Sequence, residues 1–456
     1  MRVLFLKIFY AVAPFSSFID PFYGVLLYTF ISVIRPEQLT WGGTIISGVF
    51  YITIICLFLS SVLKKQIGLN LLRYGFIFSF CLYVGFLYLS TYVSPYTIPG
   101  EYQGGMEYMR GILQILLFCV CMFGILEKRP YEKMRFLIHC ILFFFLFMGV
   151  WGIDQHLRGN ELVEGLFGQA IIDRCAICGV FTLYLPLAVW VICKNTGWKK
   201  YFGWLCVIIF GGMVILTQSR AGFLGTITAW IVLMRYMKIR LRFLAWAAVA
   251  IVLIVPFLPS SYLERIRDIR MQDTSGNQEI TDYSSASRLV LWRLGFHVFL
   301  DNPMIGVGNL NFQKASIPYG YRFAGKLDPA LYFYIFGQGD RSLQVHNMFI
   351  NILAEGGLFS AIPFYLMILL PLQYGNRMIK VASGPTSQSS PDILDLVMLQ
   401  QTMISGLIGF FVTAVFANDR LMDYFYWNLT LSYLVSMKLE MRLSQLPVRT
   451  VNHEAS

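Results

Sequence analysis

The stretch RFLIHCILFFFLFMGVWGI at residues 135–153 decides the fold class. Between Arg135 and Asp154 it contains no charged side chain. A helix needs roughly 20 apolar residues to cross the hydrocarbon core of a bilayer, so this run predicts a membrane span. Similar runs predict further spans at about 42–63, 72–93, 110–126, 175–193, 202–218, 221–235, 243–259, 347–372, 395–416 and 422–437.

The composition agrees with the spans. The chain is 57% hydrophobic and 13% charged, whereas soluble domains average roughly 45–50% apolar and about 25% charged residues. We therefore predict an all-α, polytopic transmembrane helical bundle. The N-terminal apolar stretch is not followed by a small-residue cleavage site, so we expect no removed signal peptide.

The basic residues set the expected topology. They lie in short loops between the apolar runs, which is typical of the cytoplasmic side. Two apolar runs lie between each pair of neighbouring basic loops. Because two spans return the chain to the side it started from, all the basic loops can lie on the cytoplasmic side. Residues 3–34 are apolar but interrupted at Pro14 and Asp20-Pro21, and they can form one long broken helix or two short ones. The single broken unit is preferred, because about 12 spans then result and both chain ends are inside. The predicted inside segments are 64–73, 128–135, 194–200, 235–242, 377–380 and the tail after Lys438.

Three regions follow from this topology. Residues 1–200 form an N-terminal transmembrane region, 201–437 a transmembrane core, and 438–456 a cytoplasmic tail. The core includes a large outer loop, 260–346, with short amphipathic helices. One of these helices is expected to begin at Ser285 or Ser287 as N-cap and to end at Asn302-Pro303.

Several function classes are disfavoured by the sequence. The net charge of +11 resides in loops rather than in a solvated basic face, so we expect no nucleic-acid partner. Cys175 and Cys178 have redox spacing but no second pair, and they are interpreted as structural. No nucleotide-binding fingerprint is present. The other outer histidines, His156 and His297, lack carboxylates at ligand spacing, so we expect neither a metal nor a cofactor.

Candidate chemistry concentrates at the predicted outer ends of the spans. Arg220, in the polar turn TQSRAG at 217–222, suits bidentate binding of phosphate, although an arginine reaching lipid headgroups would look the same. Arg288 likewise suits phosphate binding or interfacial anchoring. In a membrane span, polar residues are costly and usually functional.

A polar stripe follows at the start of the next span. Asn347, Asn351 and Glu355 repeat every four residues and share one helix face, with His346 at the outer mouth. Together these residues suit one reaction. His346 can accept the proton of an attacking hydroxyl, and arginines can stabilise a departing pyrophosphate.

The segments TQSRAG, SRLVLWRLGFHVFLDNPMIGVGNLNF at 287–312 and HNMFINILAEGGL at 346–358 resemble the O-antigen ligase and polymerase superfamily, across roughly residues 201–420. The resemblance implies a multi-span helical fold with a large periplasmic loop before a His-bearing helix. It also implies transfer of a glycan from undecaprenyl pyrophosphate to a lipid, protein or polysaccharide acceptor, at the periplasmic side of a bacterial inner membrane.

Site roles carry over by position. Arg220 matches the arginine after the serine of the short-loop motif, Arg288 matches the loop arginine preceding a tryptophan, and His346 matches the proposed base. The segment DPFYGVLLYTFISVIRPEQLTWG at 20–42 resembles the O-glycosylation ligase branch. That branch shows an acidic residue with Asn where this chain has Asp173-Arg174-Cys175, and Arg174 is a candidate further phosphate ligand.

Three alternatives stay open. A repeat-unit polymerase would use the same donor and differ only in its acceptor. A flippase or transporter would require charges near the bilayer midplane and symmetric broken helices, and the spans show few such charges. A non-catalytic scaffold would explain the topology but not the polar stripe at Asn347, Asn351 and Glu355.

Overall fold

The computed structural model describes residues 2–36, 48–97, 104–159, 174–237, 283–323, 325–337, 341–384, 390–418 and 422–446. The described residues form helices and turns and contain no strand, which confirms the all-α class. The helices before the outer loop are α1 (Arg2–Val12), α2 (Ser16–Ile19), α3 (Pro21–Ile34), α4 (Val49–Leu63), α5 (Gly75–Val93), α6 (Gly105–Glu127), α7 (Tyr131–Leu157), α8 (Arg174–Lys194), α9 (Trp198–Leu216) and α10 (Arg220–Met237).

The remaining helices belong to the outer loop and the last spans. They are α11 (Tyr283–Asp301), α12 (Phe312–Ala315), α13 (Ile317–Phe323), α14 (Pro329–Phe336), α15 (Met348–Val381), α16 (Pro391–Ala414) and α17 (Asp423–Ser444). The predicted span at 243–259 and the first part of the predicted loop, to residue 282, lie outside the described residues.

The bundle is built from helices of membrane-spanning length. In the described part of the chain, 7 helices are long and apolar enough to cross a membrane: α5, α6, α7, α8, α9, α15 and α16. Three apolar stretches, Leu4–Ile19, Pro21–Ile34 and Val49–Leu63, are shorter. The predicted spans at 221–235 and 422–437 correspond to α10 and α17, which pack against α16. The chain is therefore a polytopic helical membrane protein.

Helix α8 forms the centre of the packing. Every residue from Cys175 to Ala188 is buried, and a helix that is apolar all round is expected to be enclosed. Small residues let its neighbours approach closely. An added Cβ at Gly406 of α16 would overlap the carbonyl oxygen of Leu183, so these two helices touch backbone to backbone.

The N-terminal stretch differs from the prediction of one broken span. The rings of Phe9 and Phe30 lie 6.4 Å apart, whereas 21 residues of continuous helix would separate them by roughly 30 Å. The chain therefore folds back on itself. The turn forms because Asp20 leaves the helical conformation and accepts a hydrogen bond from the Phe22 N–H (3.0 Å), with Pro21 opening the next helix.

This turn lies at the basic end of the bundle. Arg129 pairs with Asp20 at 2.6 Å, and the ammonium group of Lys64 donates to the carbonyl of Ile19. Helices α1 and α2 thus run toward the basic loops and α3 runs away from them. This arrangement agrees with the alternative of two short helices for residues 3–34 and not with the preferred single unit that enters from the basic side.

The predicted basic loops meet at one end of the bundle, which supports their placement on a common side. Contacts between loops pair Arg73 with Glu127 (3.5 Å), Arg135 with Asn195 (3.3 Å), Lys438 with the Glu127 carbonyl (2.7 Å) and Tyr236 with Asn376. These contacts involve all six predicted inside segments or the residues beside them.

The opposite end is closed by the outer loop. Asn309 donates its backbone N–H to Thr91 (3.0 Å) and its side-chain amide to the Gly105 carbonyl (3.2 Å). The segment after α11 is thereby bound to the outer ends of α5 and α6. Further along, Tyr319 donates to Asp301 at 2.6 Å. Burial and that carboxylate raise the pKa of Tyr319 to about 12, so the phenol stays protonated near neutral pH.

Candidate active site

Arg220 is presented by a tight turn between α9 and α10. Gln218 adopts a left-handed backbone conformation (φ 49) that reverses the chain. Ser219 then caps α10 by accepting a hydrogen bond from the Gly222 N–H at 3.1 Å. Arg220, the first residue of α10, is exposed. The turn thus directs a cationic side chain outward from the end of the bundle.

The same turn is bound to the start of α8. The hydroxyl of Ser219 donates to the thiol sulfur of Cys175 at 3.2 Å. An added Cβ at Gly222 would overlap the side chain of Cys178, so glycine is required for this close approach. Arg174, half-buried at the first position of α8, therefore lies next to the turn that carries Arg220. The cysteines pack against this turn, in agreement with a structural role.

Arg220 reaches the helix that carries Arg288. Its Nη2 donates a hydrogen bond to the hydroxyl of Ser285 at 3.3 Å. Ser285 lies inside α11, which begins at Tyr283, so the prediction that Ser285 or Ser287 is the N-cap is wrong. The predicted end of this helix at Asn302-Pro303 is confirmed, because α11 ends at Asp301. Arg288 is half-buried on the same helix.

Helix α11 in turn packs on the segment that carries His346. An added Cβ at Gly295 would lie 2.7 Å from the Ile350 side chain and 3.4 Å from that of Val345. Those two residues flank His346. Helix α11 also contacts the segment that follows α16, where the rings of Trp292 and Phe416 are 5.8 Å apart. The position of α11 thus links the arginine-bearing turn to the histidine.

His346 stands immediately before α15 in an unusual conformation. It is half-buried and its φ is 48, in the left-handed region that few non-glycine residues adopt. The following residue, Asn347, caps α15 by accepting hydrogen bonds from the N–H groups of Phe349 and Ile350, both at 3.0 Å. The helix cap is therefore Asn347 and not the histidine side chain.

The polar stripe below His346 points into the protein. Asn347, Asn351 and Glu355 are 5%, 1% and 2% exposed, as the shared helix face predicts. Among the described residues, the side-chain oxygen of Asn351 has no hydrogen-bond partner. Glu355 accepts a hydrogen bond from the backbone N–H of Phe312 at 3.4 Å. Glu355 thus holds the outer loop, a role that its position in the sequence does not reveal.

A break in α15 completes this end of the site. Gly357 adopts φ 59 and ψ −168 inside the helix, a conformation that favours glycine. The freed backbone groups pair with the segment after α11: Val307 N–H donates to the Ala354 carbonyl (3.1 Å) and Gly308 N–H to the Glu355 carbonyl (2.8 Å). The first turns of α15, which follow His346, are consequently fixed to the outer loop.

A metal site is not apparent in the described ranges, where no group of three or more His, Cys, Asp or Glu is arranged to hold an ion. The available chemistry is that of guanidinium groups, one imidazole and neutral amides. Such groups bind oxyanions and transfer a proton near neutral pH. The sequence did not indicate that Ser285 binds Arg220, because this contact joins distant parts of the chain.

The fold and this cluster define a class: a multi-span membrane protein with basic loops at one end and Arg220, Arg288 and His346 on elements that meet at the other. Residues 205–365 match the model of the O-antigen ligase family. This match supports membership of the chain in the O-antigen ligase superfamily and a membrane function of the ligase or polymerase type. A comparison with curated proteins finds no match.

Proposed function

We propose that this protein transfers a glycan from undecaprenyl pyrophosphate to an acceptor hydroxyl at the outer face of a bacterial cytoplasmic membrane. The observation that carries the proposal is the hydrogen bond from Arg220 to Ser285 at 3.3 Å. It joins one candidate phosphate-binding arginine to the helix that bears the other, Arg288. Two guanidinium groups on adjoining elements suit a diphosphate better than a single headgroup phosphate.

The proposed reaction is a displacement at the anomeric carbon of the first sugar. The acceptor oxygen forms a bond to that carbon while the bond from the carbon to the phosphate oxygen breaks. His346 accepts the proton of the acceptor hydroxyl. Arg220 and Arg288 stabilise the charge that develops on the departing undecaprenyl pyrophosphate, with Arg174 as a candidate third ligand. No cofactor or metal enters the proposed reaction.

The buried stripe supports the base. Asn347 fixes the first turn of α15 by capping it, and Glu355 binds the outer loop through Phe312. Asn351, whose side-chain oxygen lacks a partner in the described chain, suits a hydrogen bond to a substrate hydroxyl. The donor is the same for a ligase and a polymerase, so the acceptor can be a lipid, a protein or a growing polysaccharide.

The test is transfer by purified protein in proteoliposomes with a lipid-linked glycan donor. We expect His346→Ala to remain folded and to lose at least about 100-fold in rate, the usual contribution of a general base. His297→Ala, an exposed histidine on α11, is the matched control and should retain activity. Full activity of the His346 variant would eliminate the proposed base.

The arginines are tested by the same assay. Arg220→Lys keeps the positive charge but loses the planar fork that pairs bidentately with phosphate oxygens. We expect Arg220→Lys and Arg288→Lys each to retain only a small fraction of the rate. Wild-type rates in both would argue that these arginines contact lipid headgroups instead of the donor.

A further inference from the structure

Helix α11 carries an exposed apolar stripe on one face. Leu289, Phe296 and Leu300 are 61%, 50% and 53% exposed. Their spacing of seven and four residues places them on a single face of the helix. The opposite face is fully buried in the outer-loop core, for example at Leu294 and Val298. Single exposed apolar residues are ordinary, but an aligned row of large ones indicates a binding surface.

The stripe begins at the candidate phosphate-binding residues. Ser285 lies four residues before Leu289 and thus on the same face. It is the residue that accepts the hydrogen bond from Arg220. A molecule whose charged head contacted Arg220 would therefore have the exposed side chain of Leu289 about one helical turn away.

The other end of the stripe leads onto a membrane span. After α11 ends, the backbone of residues 303–304 pairs with α15: Leu358 N–H donates to the Pro303 carbonyl (2.8 Å) and Phe359 N–H to the Met304 carbonyl (3.1 Å). Met304 is exposed, as is Phe359. The apolar surface thus passes from Leu300 through Met304 to the exposed side of a spanning helix.

We infer that this stripe is the binding track for the polyprenyl chain of the donor. The inference rests on the proposed function, since it takes the donor to be a polyprenyl diphosphate. Such a lipid has a doubly charged head and a long apolar tail. The surface has the same order: a guanidinium at one end, about 22 Å of helix between Ser285 and Leu300, and a membrane-spanning helix beyond.

The orientation of the stripe distinguishes a donor track from ordinary contact with the bilayer. A lipid-facing surface of the bundle needs no cationic end aligned with a candidate reaction site. Here the apolar row starts at the residue that binds Arg220. Arg293, which is exposed on the same face, has a stem long enough to place its charge beside the row while leaving the apolar surface available.

The experiment compares two donors that carry the same glycan, one on undecaprenyl diphosphate and one on a ten-carbon citronellyl diphosphate. Phe296→Ser and Leu300→Ser should each raise KM for the long-chain donor about tenfold, the effect of losing one well-buried apolar side chain. Their kcat, and their KM for the short donor, should not change. Ile208→Ser on α9, at another exposed apolar position, is the control and should leave both donors unaffected.

Equal losses with both donors, or an equal effect of Ile208→Ser, would overturn the track and leave α11 in contact with bulk lipid. A second measurement is independent of transfer: undecaprenyl diphosphate bearing a diazirine in its tail should label residues 289–300, and unlabelled undecaprenyl diphosphate should suppress the labelling. Labelling outside residues 289–300, or labelling that unlabelled undecaprenyl diphosphate does not reduce, contradicts the proposed binding track. Labelling of this segment without transfer of either donor would contradict the proposed function instead.

Discussion

The backbone N–H of Phe312 donates a hydrogen bond to the buried carboxylate of Glu355 over 3.4 Å. This bond joins the outer loop to the interior of a membrane helix at a residue only 2% exposed. A buried acceptor of this kind is costly to remove, because its loss leaves the opposing donor without a partner.

Glu355→Gln and Glu355→Leu separate the roles of charge and hydrogen bonding. Gln retains a side-chain oxygen that accepts the hydrogen bond from the Phe312 N–H, so the thermal midpoint of the Gln variant should stay close to that of the wild type. Leu leaves the N–H unpaired and should lower the free energy of unfolding by about 1–3 kcal/mol. Thermal unfolding in detergent measures both. A Leu variant as stable as wild type would show that the bond contributes little.

Removal of the Ser285 hydroxyl should weaken transfer without unfolding the protein. Ser285→Ala frees the Arg220 side chain from its 3.3 Å contact with α11. Because this bond is at the surface, we expect a two- to tenfold loss of transfer rate, corresponding to roughly 0.5–1.5 kcal/mol, and an unchanged thermal midpoint.

Thr228→Val is the control for that variant. Thr228 also lies on α10, and its hydroxyl donates only within its own helix, to the Leu224 carbonyl at 2.8 Å. Its transfer rate should remain at the wild-type level. An equal decrease in both variants would attribute the effect to α10 in general rather than to the contact between Arg220 and α11.

The cap of α15 should matter for both stability and activity. Asn347→Ala removes the acceptor of two backbone N–H groups, each at 3.0 Å. It should destabilise the protein by about 1 kcal/mol and lower the transfer rate by loosening His346. Asn347→Asp keeps the cap and should restore stability. If the Asp variant unfolds as early as the Ala variant, capping is not the function of this side chain.

The close contact between α8 and α16 leads to a prediction about the stability of the protein and not about its activity. Gly406→Ala would place a methyl group against the Leu183 carbonyl, and overpacking of this kind costs about 1–3 kcal/mol. Gly211→Ala in α9 meets no atom within 4 Å and should be neutral or stabilising, since alanine favours helix by up to about 1 kcal/mol. The thermal midpoints of the two variants should therefore shift in opposite directions or differ clearly.

The spans and the basic end of the bundle were predictable because their signals are local. An apolar run such as 135–153 indicates a membrane helix by itself, and Lys and Arg at its ends indicate a side. The face shared by Asn347, Asn351 and Glu355 follows equally from helical periodicity. Their burial in the structure agrees with that expectation.

What could not be predicted depends on contacts between distant residues. The Asp20-Pro21 break in the N-terminal stretch allows either one broken span or two short helices, and only the long-range packing of Phe9 near Phe30 decides for the fold-back. Ser285 looked like a helix cap, but α11 begins earlier, and the serine instead binds Arg220. The roles of Arg220, Arg288 and His346 remain predictions that the proposed assays test.

The pairing between residues 303–308 and the broken helix at Gly357 uses main-chain groups alone. Side-chain replacement in this segment therefore leaves those bonds intact, provided that the glycines are kept. Such an arrangement permits the intervening residues 309–345 to diverge in sequence, and so to accommodate new partners, while the register of the helix behind them is preserved. Chimeras that exchange residues 309–345 between family members should accordingly have their junctions directly after Gly308 and directly before His346.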